Sequence, residues 1–406
     1  VQGGDPYLTV DNKTYSCENN RMGEYAFANT NLEKFRFPAG IVTVDSTIFK
    51  GSENLNSIQF DKLPAGMTTQ AAKNLFGENQ KNGIIAINNT GTASNVTNLV
   101  FLNDVESEVV LVDKYNYDSD VKLSVGKCTF TKEFSKETKK GESKGWETIM
   151  LPFIPTEIRG KNLRGNEAFL VPFGSDKNAF TGKGLDLVLN FWMKKLNPDG
   201  EFVNITFDEI EANVPYLISM PNNTTDYGNT YNISGDVQFI ANAAAGETVA
   251  LNEKADPGIL TGKYYDFSAT FKAFTDVSVY VLNAAGSSFD LITGEEFNER
   301  ANKVNAFEGY AVAHPQYQGV KSFRFDEAPS IPSDIEEIMM NREDENGFFI
   351  HSTSNGIRIV SNVNKAIQIH SIEGRLIANE YIYEGENFVA LPKGIYLIER
   401  QKVVVY

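Results

Sequence analysis

The sequence is poor in the side chains from which most reaction centres are built. Its 406 residues hold two cysteines, three histidines and two tryptophans. Cys17 and Cys128 lie too far apart, and are too few, to form a disulfide framework. They leave a single bridge or two separate thiols, of which separate thiols are expected. Two of the histidines, His351 and His370, fall in the last sixty residues. A Ser-His-Asp or metal-histidine site would therefore rest almost on His314 alone, and ordinary core or surface histidines are expected. There is no HExxH, paired CxxC, Walker A loop or GxGxxG. Basic charge is also short, with 37 Lys and Arg against 53 Asp and Glu, a net charge of −16. Without a basic stripe, neither nucleic acid nor an anionic membrane surface is an expected partner. No apolar run approaches the roughly 18 residues needed to cross a bilayer, so no membrane span is expected.

What is present is material for packed cores. Apolar residues make up 41% of the chain and aromatic residues 12%, which excludes global disorder. The length predicts two or three domains. The opening VQGGDPYL is not a signal peptide, and suits a trimmed exported protein as well as a cytoplasmic one. Seven Asn-x-Ser/Thr sequons are weak support for secretion in a chain this rich in asparagine.

The first hundred residues carry a repeat. Leu32, Phe35 and Phe37 recur as Leu55, Ile58 and Phe60, each pair 23 positions apart. That period and the L-x-x-L-x-L spacing belong to leucine-rich repeats, whose units bury an apolar edge only by stacking. Leu75-Phe76 with Gly83-Ile84-Ile85-Ala86-Ile87 reads as a degraded third unit. The phrase AFANTNLEKFRFPAGIVTVDSTIFKGSENLNSIQF resembles the BspA-like leucine-rich repeats of Bacteroidetes surface proteins.

From about Asp113 the texture changes to short alternating apolar segments such as VKLSV, ETIMLPF and LDLVLNFWM, the pattern of an antiparallel β domain. GWETIMLPF (145–153) and IEANVPYLI (210–218) resemble phrases in the β domains that follow such repeats in the same surface proteins. Pro152 and Pro215 are expected to end strands or sit at sheet edges. The likeness implies architecture and carries no chemistry.

A connector rich in proline, serine and acid, DEAPSIPSD, begins at Asp326. Beyond it come seven short strands: FFIHS, IRIVS, AIQIHS, RLIAN, NFVAL, GIYLI and VVVY. Asn355-Gly356 predicts a two-residue hairpin turn. Ile367 and Ile369 should face one side of their strand, Gln368 and His370 the other. A small β-sandwich follows. The wording of Gly374-Arg375, LPKGIY (391–396) and KVVV (402–405) is similar to the C-terminal sorting domain of the type IX secretion system, which implies export and contact with that machinery.

Candidate sites are sparse. Gly141-Glu142-Ser143-Lys144-Gly145 matches G-x-S-x-G, but a nucleophile elbow needs an apolar strand before it and a helix after it, and a polar hairpin loop is expected. Asn116, Asp118 and Asp120 are spaced like the start of a calcium loop. The glycine and glutamate that would complete an EF-hand are replaced by Val121 and Lys127, so a solvated turn is favoured. Trp146, Trp192, Tyr264 and Tyr265 are candidate sugar-stacking rings, although buried core is the commoner fate of such residues. Tyr264 and Tyr265 are the stronger ligand-binding pair, because adjacent strand residues face opposite ways.

The chain therefore reads as mainly β. Residues 1–112 form a leucine-rich-repeat-like region, 113–328 one or two antiparallel β domains, 329–346 a linker and 347–406 a C-terminal β-sandwich. No catalytic residue, cofactor or metal is expected. The expected role is that of an exported, cell-surface or secreted, non-catalytic protein that binds host protein or glycan, with the concave repeat sheet as a contact face. A glycan-binding accessory or hydrolase of carbohydrate uptake, and a structural surface-layer or fimbrial component, are the alternatives.

Overall fold

The computed structural model describes residues 7–10, 13–16, 20–77, 81–87, 98–101, 107–117, 123–180, 183–251, 258–274, 279–292, 304–318, 320–324, 348–353, 356–361, 363–372, 374–383, 385–399 and 401–405. Two compact units emerge, Val1–Pro329 and Ser330–Tyr406. Both are built mainly of strands.

The repeat opens the first unit. Strands β1 (Lys34–Phe37), β2 (Ser57–Phe60), β3 (Ile84–Ile87) and β4 (Leu99–Phe101) pair in parallel. Their register sets Phe35, Ile58, Ile85 and Leu99 in one row, and Phe37, Phe60, Ile87 and Phe101 in the next. These rows form one core, in which the Phe37 and Phe60 rings stack 4.5 Å apart. The 23-residue spacing is thus a ladder step. The third unit is in place at β3, while β4 arrives too soon after it for a periodicity search to find.

Buried asparagines tie the turns of this coil together. Asn82 donates to the carbonyls of Val112 and Tyr115 and accepts from the Val112 N–H; Asn98 donates to Lys81 and accepts from Val110. Side-chain amides of this kind satisfy backbone groups that bends leave unpaired.

The sheet does not end with the repeats. Strand β5 (Glu108–Val112) follows β4, and pairs in parallel with β6 (Lys127–Glu133). Further strands are β7 (Glu147–Ile149), β8 (Glu157–Asn162), β9 (Glu167–Pro172), β10 (Val188–Leu196), β11 (Phe202–Asn204), β12 (Tyr216–Ser219) and β13 (Ile233–Asn242). Thirteen described strands form one sheet in the order β7-β12-β10-β9-β8-β13-β6-β5-β4-β3-β2-β1, with β11 on β10. The change of texture at position 113 is therefore no break in the hydrogen-bonded sheet. Beyond the repeats pairing is antiparallel except at β5–β6 and β9–β10.

A second, antiparallel sheet contains β14 (Leu260–Thr261), β15 (Tyr265–Ala269), β16 (Tyr280–Leu282), β17 (Ser288–Leu291), β18 (Gly309–Ala313) and β19 (Ser322–Arg324), in the order β14-β15-β18-β16-β17-β19. The GWETIMLPF phrase docks it to the first sheet. Gly145 donates to the Ala285 carbonyl, Trp146 to that of Gly286, and Gly309 to Thr148 Oγ1. Trp146 is fully buried. A Cβ on Gly286 would fall 2.2 Å from the Trp146 carbonyl oxygen, so only glycine lets the backbones approach. Pro215 directly precedes β12 and Pro152 lies just past β7, where prolines interrupt no ladder bond.

This second layer alters the repeat sheet's outer face. Arg36 is exposed and Gln59 half-buried, but Ile84, Ala86 and Val100 are buried. Ile84 and Val100 belong to the main β core together with Tyr117 and Phe271. The Tyr117 N–H donates to the Phe271 carbonyl at 2.9 Å, and Lys272 pairs with Glu33 at 2.7 Å. The expected concave contact face is accordingly open only over β1 and β2. Strands β3 and β4 are covered because their second face is apolar and must be buried.

The second unit contains β20 (Phe348–Thr353), β21 (Gly356–Ser361), β22 (Lys365–Ser371), β23 (Leu376–Ile382), β24 (Gly385–Ala390), β25 (Gly394–Ile398) and β26 (Gln401–Val405). They form a three-stranded sheet, β20-β21-β24, and a four-stranded one, β23-β22-β25-β26. Ile357, Ile359, Ile367, Ile369 and Ile398 fill the core between them. Gln368 faces out, as the alternation demands. One detail differs from expectation. Gly356 pairs with Thr353 and opens β21, so the connection is one residue earlier than Asn355-Gly356, at positions 354 and 355 outside the described residues.

Candidate functional site

The sequence-derived candidates scatter. Gly141 and Gly145 both have positive φ, and the G-x-S-x-G segment is a turn leading into β7 with no helix after it. That is the polar loop expected, and Ser143 has no elbow geometry. His314, just past the end of β18, has its Nε2 3.1 Å from Oδ1 of Asp266 on β15. Asn116 Oδ1 accepts the Ala273 N–H at 2.8 Å, so it anchors the segment that covers the repeat sheet. Its companions Asp118 and Asp120 lie outside the described residues, as does Cys17. Cys128 is buried as a free thiol, and burial pushes its pKa well up. Among the described residues no cluster of three or more His, Cys, Asp or Glu could hold a metal.

Two hollows in the first unit concentrate charge or rings. The smaller, about 230 Å³, is built around Lys132 on β6. Its ammonium lies 2.6 Å from Asp113 Oδ2 and 3.4 Å from Glu147 Oε2. Glu147 also accepts the N–H groups of Ser135 and Lys136. Burial pulls the Lys132 pKa down, but Asp113 and Glu147, with help from Glu308, outweigh it and the net shift is upward. This lysine stays charged between two carboxylates. Paired acids held in that way are neutralised, which suits a structural ion network.

The larger hollow, about 430 Å³, opens between the two sheets, within the size range of small-molecule sites. Both Tyr264 and Tyr265 line it. Tyr264 is 37% exposed and forms rim, its ring edge-on to Tyr317 with the Lys263 ammonium over it. Tyr265 is buried against Phe323, and burial raises its hydroxyl pKa. Trp146 lies beneath the floor. Lys194 emerges from that floor, its Nζ 5.6 Å above the Trp146 ring centre and 3.5 Å from the Phe202 carbonyl. Burial lowers its pKa from 10.5 to about 8. Glu201 and Arg324 stand exposed at the mouth.

Lys194 was invisible as a site residue because it sits in an apolar strand, NFWMKKL. On β10, Phe191 and Met193 point into the main core, so Trp192, Lys194 and Leu196 share the other face. The one available signal was a lysine in phase with buried residues. Trp192 itself is core, packed on Phe173 and Tyr227.

Comparison with known proteins bears on the repeats alone. A family model described as BspA type leucine rich repeat region (6 copies) matches residues 17–108. Those residues are similar to a BspA-type leucine-rich-repeat region, and the parallel ladder of β1 to β4 is a leucine-rich-repeat-type fold. The match takes in β1 to β4 and reaches the first residue of β5. No curated protein and no solved structure matches the chain. Among the described residues no helix is long and apolar enough to cross a membrane.

Proposed function

We propose that this chain is an exported, non-catalytic recognition protein of the cell surface that binds host protein or glycan through its first unit. The observation that supports this most is the ring-lined hollow between the two sheets. It combines an exposed aromatic rim, a floor cation and two charged groups at its mouth, the composition of a binding pocket. The BspA-type repeat region is consistent with surface recognition. On this reading the repeats act less as a broad concave platform, since β3 and β4 are covered, than as one flank of a rigid β scaffold. The charged hollow does not favour a hydrolase, because Lys132 occupies the space between its acids and no aromatic side chain lines it.

The terminal unit serves delivery on this reading, as its likeness to a sorting domain implies. Arrays of matrix proteins and glycans probed with the full chain test the recognition role, and reproducible hits are expected. An absence of hits would remove its support. Deleting 347–406 should abolish surface labelling of producing cells, and unchanged labelling would refute the sorting role.

One observation favours a second reading, a structural surface component. Strand β23 is an outer strand of its sheet and exposes Leu376, Ile377 and Tyr381, with the exposed Tyr383 ring 5.2 Å from that of Tyr381. Open apolar edges accept added strands. Concentration-dependent fibres that vanish on Ile377→Lys would favour it.

A further inference from the structure

We propose that Lys132 and Asp113 condense into an intramolecular isopeptide bond, with Glu147 as the proton relay. The product is an amide cross-link between Lys132 Nζ and Asp113 Cγ, and one water is released. It ties the end of β5, the strand that continues the repeat sheet, covalently to β6.

The backbone brings the reacting atoms together. Strands β5 and β6 run parallel, with Val112 opposite Thr131. The Asp113 N–H donates to the Thr131 carbonyl at 3.0 Å, so the chain stays in register and Asp113 lies beside Lys132. The Lys132 Nζ is 2.6 Å from Asp113 Oδ2. A nitrogen that close to one carboxylate oxygen is roughly 3–3.5 Å from the carboxyl carbon, the spacing of a near-attack conformer. An ion pair is complete with one carboxylate, yet a second is held in place here. Glu147 Oε1 accepts the N–H groups of Ser135 and Lys136 at 2.9 and 3.1 Å, and its Oε2 lies 3.4 Å from the ammonium. Each of the three side chains is 12% exposed or less. Leu282 and Ala306 line the same hollow, and the Phe134 ring centre is 5.5 Å from Nζ.

The charged pair is the reactant state. Burial penalises charge, so transfer of one proton from the Lys132 ammonium to Asp113 gives a neutral amine beside a neutral acid. That proton moves within the pair, so the raised pKa of Lys132 does not block the step. The Nζ lone pair then attacks Asp113 Cγ and the C–N bond forms. Glu147 takes one of the two protons left on Nζ and hands it to the departing hydroxyl oxygen. The Cγ–O bond breaks, water leaves into the hollow, and Glu147 is a carboxylate again. An ammonium and a carboxylate have become an amide and one water, with no oxidant or reductant consumed. The amide removes two opposite charges from the interior, and with them their desolvation cost. It also closes residues 113–132 into a covalent ring, which restricts the unfolded chain as a disulfide does.

The test is the intact mass of the full chain, purified in its folded state as followed by circular dichroism. It should be one water below the mass of its sequence. Trypsin acting on the denatured chain should then leave residues 82–114 joined to 128–136 as one branched peptide, uncut after Lys132. Lys132→Arg keeps the cation beside both carboxylates and should fold with the full mass of its sequence. Glu147→Gln should slow the bond about a hundredfold or more, so that freshly purified protein still has mostly the full mass. The full sequence mass in the folded wild-type chain would overturn the inference. So would a water loss that persists in Lys132→Arg or that maps to another pair of residues. A cross-link as complete in Glu147→Gln as in the wild type would overturn the relay.

Discussion

Lys132 and Lys194 are two buried lysines of one continuous sheet, and the protein treats them oppositely. Lys132, on β6, has Asp113 and Glu147 against its ammonium, and its pKa is raised in spite of burial. Lys194, on β10, lies over an indole ring and its pKa falls to about 8. The difference teaches which charge is part of the scaffold. A structural cation is supplied with its counter-charge by the fold, because an unpaired one costs several kcal/mol. At Lys194, on the floor of an open hollow, burial has the larger effect, and perturbed groups in hollows mark candidate binding sites.

Substitutions can break that contrast, the largest effect coming first. Lys132→Met should cost about 3–5 kcal/mol in denaturant unfolding, because Asp113 and Glu147 are left buried without a partner. A loss below about 1 kcal/mol would mean that the network is not structural. Glu147→Gln should cost about 1–3 kcal/mol, since it weakens the charged bonds to Lys132, Ser135 and Lys136. Lys194→Met should do the reverse and stabilise the protein by about 1–2 kcal/mol at pH 7, after allowance for solvent screening. The sign follows from the lowered pKa: between about 8 and 10.5 the unfolded chain binds the proton that the folded one releases. Folding is therefore penalised in full below pH 8 and relieved as pH rises, so the gain from Lys194→Met should fade by about pH 10.5. A gain that persists at pH 10.5 would point to packing as its source. Smallest of all, Arg36→Ala breaks an exposed pair with Asp61 on the open part of the repeat sheet and should change stability by less than about 1 kcal/mol.

Legibility varied with the range of the interactions involved. All seven strand segments of the terminal unit could be read in advance, because each is a short apolar run between turn residues, and in β22 and β25 alternation records a buried face. Only the hairpin register slipped, by the one position that moved Gly356 into its strand. The repeat was equally plain at Phe35–Ile58 and Phe37–Phe60, since stacking units make the same demand at each turn. It faded at β4, where the step shortens. The central β region yielded its strands, but not that they extend the repeat sheet, because hydrogen bonding between β5 and β6 leaves no mark on composition. Of the site residues, Tyr264 and Tyr265 could be singled out as a pair with opposite exposures. Lys194, Arg324 and Phe323 could not, since they come from β10 and β19 and meet only when the two sheets pack.

Taken by itself, the amino-acid sequence determined the local structure: the strands, the repeat step, the prolines beside strand ends and the shortage of basic charge. Those follow from side-chain periodicity and backbone preference, which act over a few residues. Tertiary structure alone decided which face of the repeat sheet stays open, where Lys132 meets its two carboxylates and where rings gather into a hollow. Such outcomes depend on burial and on charges brought together from distant strands, and burial exists only once the layers have packed.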